Sequence, residues 1–139
     1  MENRAKVDIV SGFLGAGKTT FISKLISEAY FGEKVVLIEN EFGEIAIDGD
    51  VLAGSGVEVQ EITGGCICCS LRGNVIAALI SLCKSFRPER IIIEPTGLAR
   101  PAELADAVLE AARHVSLELH AVITVLDVTQ WPRISEAAA

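Results

Sequence analysis

Nine residues near the start of the chain restrict its fold more than any others: Gly12-Phe13-Leu14-Gly15-Ala16-Gly17-Lys18-Thr19-Thr20. They satisfy G-x-x-x-x-G-K-[ST] at every fixed position, and that pattern has a mechanical meaning. A strand ends, the chain wraps around an anion, and a helix begins. Gly12, Gly15 and Gly17 admit torsions closed to side chains and let backbone amides approach phosphate oxygens. Lys18 has the reach for β- and γ-phosphates, and the Thr19 hydroxyl suits Mg²⁺. The start of the helix offers unpaired N–H groups and a positive dipole end. The flanks agree. Val7-Asp8-Ile9-Val10 is strand-like, and Phe21, Ile22, Leu25, Ile26 and Ala29 recur at helical spacing. The first strand is expected over Val7 to Ser11 and the first helix over Lys18 to Tyr30, with Gly32 ending it.

The rest of the chain alternates strands with helices. Lys34 to Glu39, apolar from Val35 to Ile38, reads as a second strand, buried on both faces. Asn40 to Gly56, rich in glycine and acid, reads as a loop, and Val57 to Ile62 as one arm of a small hairpin. Ser70 suits a helix N-cap, and Leu71, Val75, Ala78, Leu79, Leu82, Cys83 and Phe86 form one apolar stripe. Arg90 to Glu94 is a third strand, halted by Pro95 and Gly97. Pro101 opens another helix, with Glu103 and Asp106 near its positive end and Leu104, Val108 and Ala111 on its buried face. Ala121 to Leu126 is a fourth strand, ending at Asp127. The expected fold class is α/β: a P-loop NTPase fold with a mostly parallel sheet, helices on both faces and a small hairpin insertion. Ligands of such sheets bind at the carboxyl ends of the strands. Gly12, Glu39, Glu94 and Asp127 all fall there.

Composition narrows the partners. The chain has 139 residues, enough for one domain. Nineteen acids against 12 bases give a net charge of −7, which argues against nucleic acid and anionic membrane. No apolar run reaches membrane-spanning length, and a cytoplasmic location is expected. Three of the four cysteines fall within four residues, the pattern of a metal or redox site rather than a disulfide scaffold.

Two further segments carry chemistry. Glu94-Pro95-Thr96-Gly97 stands where the second phosphate-loop motif belongs. Glu94 there is expected to hold Mg²⁺ through water or to orient an attacking water, and the Gly97 amide to meet the γ-phosphate. Asp48 or Asp50 is a second candidate contact for Mg²⁺. Cys66-Ile67-Cys68-Cys69 offers thiolates for a borderline metal such as Zn²⁺. Its fourth ligand is open among Glu39, Glu41, Glu44, a water and a partner residue. Cys83 falls on the apolar helical stripe and reads as core, while His114 and His120 receive no role.

Four motifs together resemble one family. Gly12 to Thr20, Glu39-Asn-Glu-Phe-Gly-Glu44, Gly64-Gly-Cys-Ile-Cys-Cys69 and Glu94-Pro-Thr-Gly97 are similar, in this order, to the CobW family of metal-handling P-loop GTPases. The resemblance covers about residues 7 to 128. It implies a GTP-hydrolysing protein that binds zinc or cobalt. Delivery would be to a client metalloprotein or a metal-requiring biosynthetic enzyme, cobalamin synthesis being the pathway that named the family. Carried over, Gly15, Gly17, Lys18, Thr19 and Thr20 hold phosphates and Mg²⁺ and Glu94 belongs to the nucleotide site, to which the reading of the residues adds Gly12, Ala16, Asp48 and Gly97. Lys18 and Glu94 are the catalytic candidates. Cys66, Cys68 and Cys69 form the metal motif, with Glu39 and Glu44 as extra ligands. Family members continue to a guanine-reading Asn/Thr-Lys-x-Asp segment and a C-terminal domain, whereas this sequence ends twelve residues after Asp127. Residues 1–139 are therefore expected to be a GTPase domain truncated before both. Two rivals stay open: an ATP-dependent ATPase or kinase, and a non-catalytic zinc-binding interaction module. Homo-oligomer formation also stays open.

Overall fold

The computed structural model describes residues 3–12, 17–39, 58–59, 71–95 and 100–129. In chain order the elements are β1 (Ala5–Gly12), α1 (Lys18–Lys24) continued by a π-helical turn (Leu25–Ala29), β2 (Val35–Glu39) and β3 (Glu58–Val59). Then come α2 (Leu71–Ser85), β4 (Arg90–Glu94), α3 (Pro101–Ala111) and β5 (Leu117–Val125). The strands form one sheet in the order β3-β2-β4-β1-β5, and every pairing is parallel. β4 thus lies between β2 and β1, in the middle of the sheet. All five of its residues are buried, as expected for Ile91-Ile92-Ile93 covered from both sides.

The two faces carry separate cores. Val7 and Ile9 of β1, Val36 of β2 and Ile91 and Ile93 of β4 pack with Val75, Leu79 and Leu82 of α2 and Leu104, Ala107, Val108 and Ala111 of α3. On the other face Val10, Val35, Leu37 and Ile92 pack with Ile22 and Ile26 of α1 and its π turn. Alternate residues of each strand feed alternate faces, as the period of two requires. Pro101 opens α3 as expected, and Cys83 is half-buried against the first core.

Three expectations change. The run placed in a hairpin arm contributes Glu58–Val59, and these pair in parallel with Val36–Leu37, extending the sheet rather than folding back. The last strand begins at Leu117, four residues before the expected start, because Leu117 and Leu119 pack on the first core. Within β5 the alternation then changes phase. Leu119 is in register with Val7, but Asp8 is in register with Ala121, so His120 is an extra residue. Beyond that bulge Ile123 and Val125 pack on the α1 face, although Leu117 and Leu119 pack on the opposite one. The third change is in the first helix. Ala29, expected on its apolar face, is exposed. The Tyr30 amide bonds to the Leu25 carbonyl at 2.8 Å, and the wider turn rotates Ala29 away.

Candidate functional site

Gly12 closes β1 where no side chain fits. Its φ is +152°, and a Cβ would stand 2.5 Å from the Val125 carbonyl oxygen of β5. The same Cβ would lie 3.3 Å from Cγ and Cδ of Lys18, so the lysine stem crosses over this glycine. Gly17 caps α1 in left-handed backbone, φ +93°, a torsion that favours glycine even where space is open. Among the described residues no side chain caps this end of α1. The first turn therefore brings the amides of Lys18, Thr19 and Thr20 to the carboxyl edge of the sheet, without intrahelical acceptors.

Lys18 is buried, and its Nζ lies 3.6 Å from Oε1 of Glu94, itself buried at the end of β4. A charge pair withdrawn from water acts through a lower dielectric and is more strongly coupled than an exposed one. Thr19 is half-buried beside it and Thr20 is exposed. Glu39 closes β2, and its Cα is in register with that of Glu94. Neighbouring strands are about 4.8 Å apart, so these two backbone positions are adjacent along the edge. Gly12, Gly17, Lys18, Thr19, Thr20, Glu39 and Glu94 thus converge at the carboxyl ends of three adjacent strands. The hydroxyl and carboxylate oxygens are hard donors that match Mg²⁺, and the ammonium and amides match an anion. Gly15, Ala16, Glu44, Asp48, Cys66, Cys68, Cys69 and Gly97 lie outside the described residues. Among the described residues no group of three or more His, Cys, Asp or Glu is placed to hold a metal ion. A cleft of about 570 Å³ opens at the opposite end of the sheet, between Ala5, Cys83, Arg87, Glu89 and Ser116, and shares no residue with the phosphate edge. Burial alone pushes the Cys83 thiol up from its ordinary pKa.

Sequence reasoning missed a second polar centre. Asp8, fully buried on the α1 face of β1, accepts a hydrogen bond from Tyr30 Oη and one from Arg90 Nη1 at 2.9 Å. Its other oxygen lies 2.7 Å from Nδ1 of His120, the bulged residue of β5. A carboxylate only accepts, so Nδ1 carries the proton, and the 3.3 Å approach of Arg90 Nη1 to that nitrogen joins two donors rather than making a bond. Arg90 also donates from Nε to Glu33 at 2.7 Å and stacks 3.7 Å over the Tyr30 ring. Burial works against the guanidinium charge, but the bonds to Glu33 and Asp8 outweigh it and hold the Arg90 pKa above its ordinary value. One signal was readable in advance: an aspartate inside an otherwise apolar strand must find donors.

The sequence matches the family described as CobW/HypB/UreG, nucleotide-binding domain, over residues 6–138. It is 38% identical over 122 residues to the zinc chaperone YeiR of Escherichia coli (strain K12), covering 88% of this chain and 37% of YeiR. It is 40% identical over 134 residues to the zinc chaperone CobW of a Sinorhizobium species, covering 90% of this chain and 38% of that one. The chain thus spans well under half the length of these relatives. A Zn(II)-bound triple mutant of YjiA GTPase superposes with a TM-score of 0.63 at 26% identity, covering 95% of this chain and 43% of that chain. The signal recognition particle receptor FtsY of Elizabethkingia anophelis gives 0.63 at 22% identity, covering 99% and 46%, a likeness of fold alone.

Proposed function

Because this chain belongs to the CobW/HypB/UreG nucleotide-binding family, we propose that it is the GTPase domain of a zinc chaperone that hydrolyses GTP and hands metal to a client. The client is a metalloprotein or a metal-requiring biosynthetic enzyme. Cobalt, and a cobalamin-type pathway, are the narrower alternative cargo and destination. The observation that carries the reading is the edge where buried Lys18 meets Glu94 and Glu39 runs in register beside it. Lys18 and the first amides of α1 would take the phosphates, with Gly15 and Ala16 completing the loop and Gly97 meeting the γ-phosphate. Thr19, Glu94 and Asp48 would hold Mg²⁺, which neutralises charge developing on the transferring phosphoryl group. Glu94 would orient the attacking water.

Cargo zinc would sit on Cys66, Cys68 and Cys69, with Glu39 or Glu44 as an oxygen ligand. The topology supports this. β3 runs parallel to β2, so Val59, in register with Leu37, is directed toward the edge where Glu39 and Glu94 end. The cysteines fall in the connection after Val59, before α2 begins at Leu71. For residues 1–139 we further propose a domain that lies ahead of a guanine-reading segment and a C-terminal domain.

The test joins nucleotide and metal measurements on one preparation. Titration with Mg·GTP and Mg·ATP, phosphate release, and zinc content should show triphosphate binding, turnover and about one zinc per chain, lost in the Cys66→Ser, Cys68→Ser, Cys69→Ser variant. Zinc retention by that variant would move the metal site elsewhere. Absence of triphosphate binding would reject the GTPase reading.

A further inference from the structure

We propose that Tyr30 is a positioning residue for the phosphate-binding helix: its bond to Asp8 clasps the far end of α1 to the strand that leads into the phosphate loop. β1 rises from Asp8 to Gly12, about 13 Å at ~3.3 Å per residue. The chain returns through the helix from Lys18 to Tyr30, about 18 Å at ~1.5 Å per residue. Its end meets the strand where it began, because Tyr30 Oη donates to Asp8. Strand, loop and helix therefore form a closed unit, pinned at the end opposite Lys18.

The π turn makes the clasp reachable. In an uninterrupted α-helix, at about 100° per residue, Ala29 would continue the line of Ile22 and Ile26 more closely than Tyr30. The wider turn hands that place to Tyr30, which packs on the same core as Ile22 and Ile26, while Ala29 is exposed. The anchor is stiff. Asp8 is held by Arg90 and His120 as well, and the Arg90 guanidinium covers the Tyr30 ring. Fixing α1 along β1 fixes Lys18 over Gly12 and near Glu94, and sets the first-turn amides at the sheet edge. The consequence for nucleotide affinity rests on the function proposed above; the clasp itself does not.

Tyr30→Phe keeps the ring, its packing and the stacked guanidinium, and removes one oxygen. Its amides from Phe21 to Lys24 should exchange hydrogen about three- to tenfold faster, and Mg·GTP should bind about three- to tenfold more weakly, at a temperature where the variant is fully folded. Val108→Ala, on the opposite face of the sheet, is the control: it lowers stability and should leave both quantities unchanged. Exchange that quickens only at Ala29 and Tyr30 would overturn the clasp, as would equal behaviour of the two variants at matched loss of stability. If the wild-type chain binds no nucleotide, the GTPase reading fails while the exchange measurement still decides the clasp.

Discussion

Tyr30 lies against a buried carboxylate and under a guanidinium, and this setting changes its titration. Burial raises its pKa first, the bond to Asp8 and that residue's charge add to it, and the result is a shift from 10.0 to about 12. A group protonated more tightly in the folded state contributes stability that is complete below its unfolded pKa and disappears as pH climbs through the folded one. Stability should therefore fall between pH of about 10 and about 12, and Tyr30→Phe should flatten that part of the profile in denaturant melts. The chain has one tyrosine, so tyrosinate absorbance reads this residue alone. Lys18 gives a second prediction at this scale. Lys18→Met keeps the stem over Gly12 and removes the ammonium facing Glu94, so Mg·GTP affinity should drop about 10- to 100-fold by titration. Lys18 was legible in the sequence because its motif is local. The Asp8 centre was not, since Arg90 and His120 lie 82 and 112 residues away and only the sheet order brings them together.

Most elements were legible from periodicity, and the misses have physical causes. β4 keeps the expected bounds, Arg90 to Glu94, because its apolar centre Ile91-Ile92-Ile93 is covered by helices on both faces. β5 was read too short. Its bulge breaks the period of two, and the stretch before it alternates in the opposite phase. The π turn left no mark on helical spacing, because the side chain that gains from it is bonded to another element. α2 ends less comfortably than the sequence suggests. Pro88 stops it, but Arg87 is forced into left-handed backbone, φ +52°, with its amide on the Leu82 carbonyl at 3.2 Å. An L-residue there costs about 1–2 kcal/mol, part of which glycine returns through a freer unfolded chain. Arg87→Gly should therefore stabilise the fold by up to about 1 kcal/mol, seen as a higher denaturant midpoint at unchanged slope.

At the scale of the molecule, the strand order gathers the chemistry. Placing β4 between β1 and β2 sets Glu94 between the carboxyl ends of those two strands, and β3 outside β2 runs in the same direction. The sequence already indicated that these strand ends converge, since every connection carries a helix or is long enough to cross over. Their neighbours were not readable, because apolar runs of similar length do not specify which strand lies in the middle. Under the function proposed above, Glu39 at the end of β2 and the segment that follows it would serve both sites. Central to the account is therefore a coupling between nucleotide and zinc. The measurement that tests it most directly is competition of the chain with a chelator for Zn²⁺, in the presence of a non-hydrolysable GTP analogue, of GDP, and of no nucleotide. Zinc affinities should differ between the triphosphate and diphosphate states by about 5- to 150-fold, with the same factor appearing in nucleotide affinity when zinc is varied. Three identical zinc affinities would contradict the coupling.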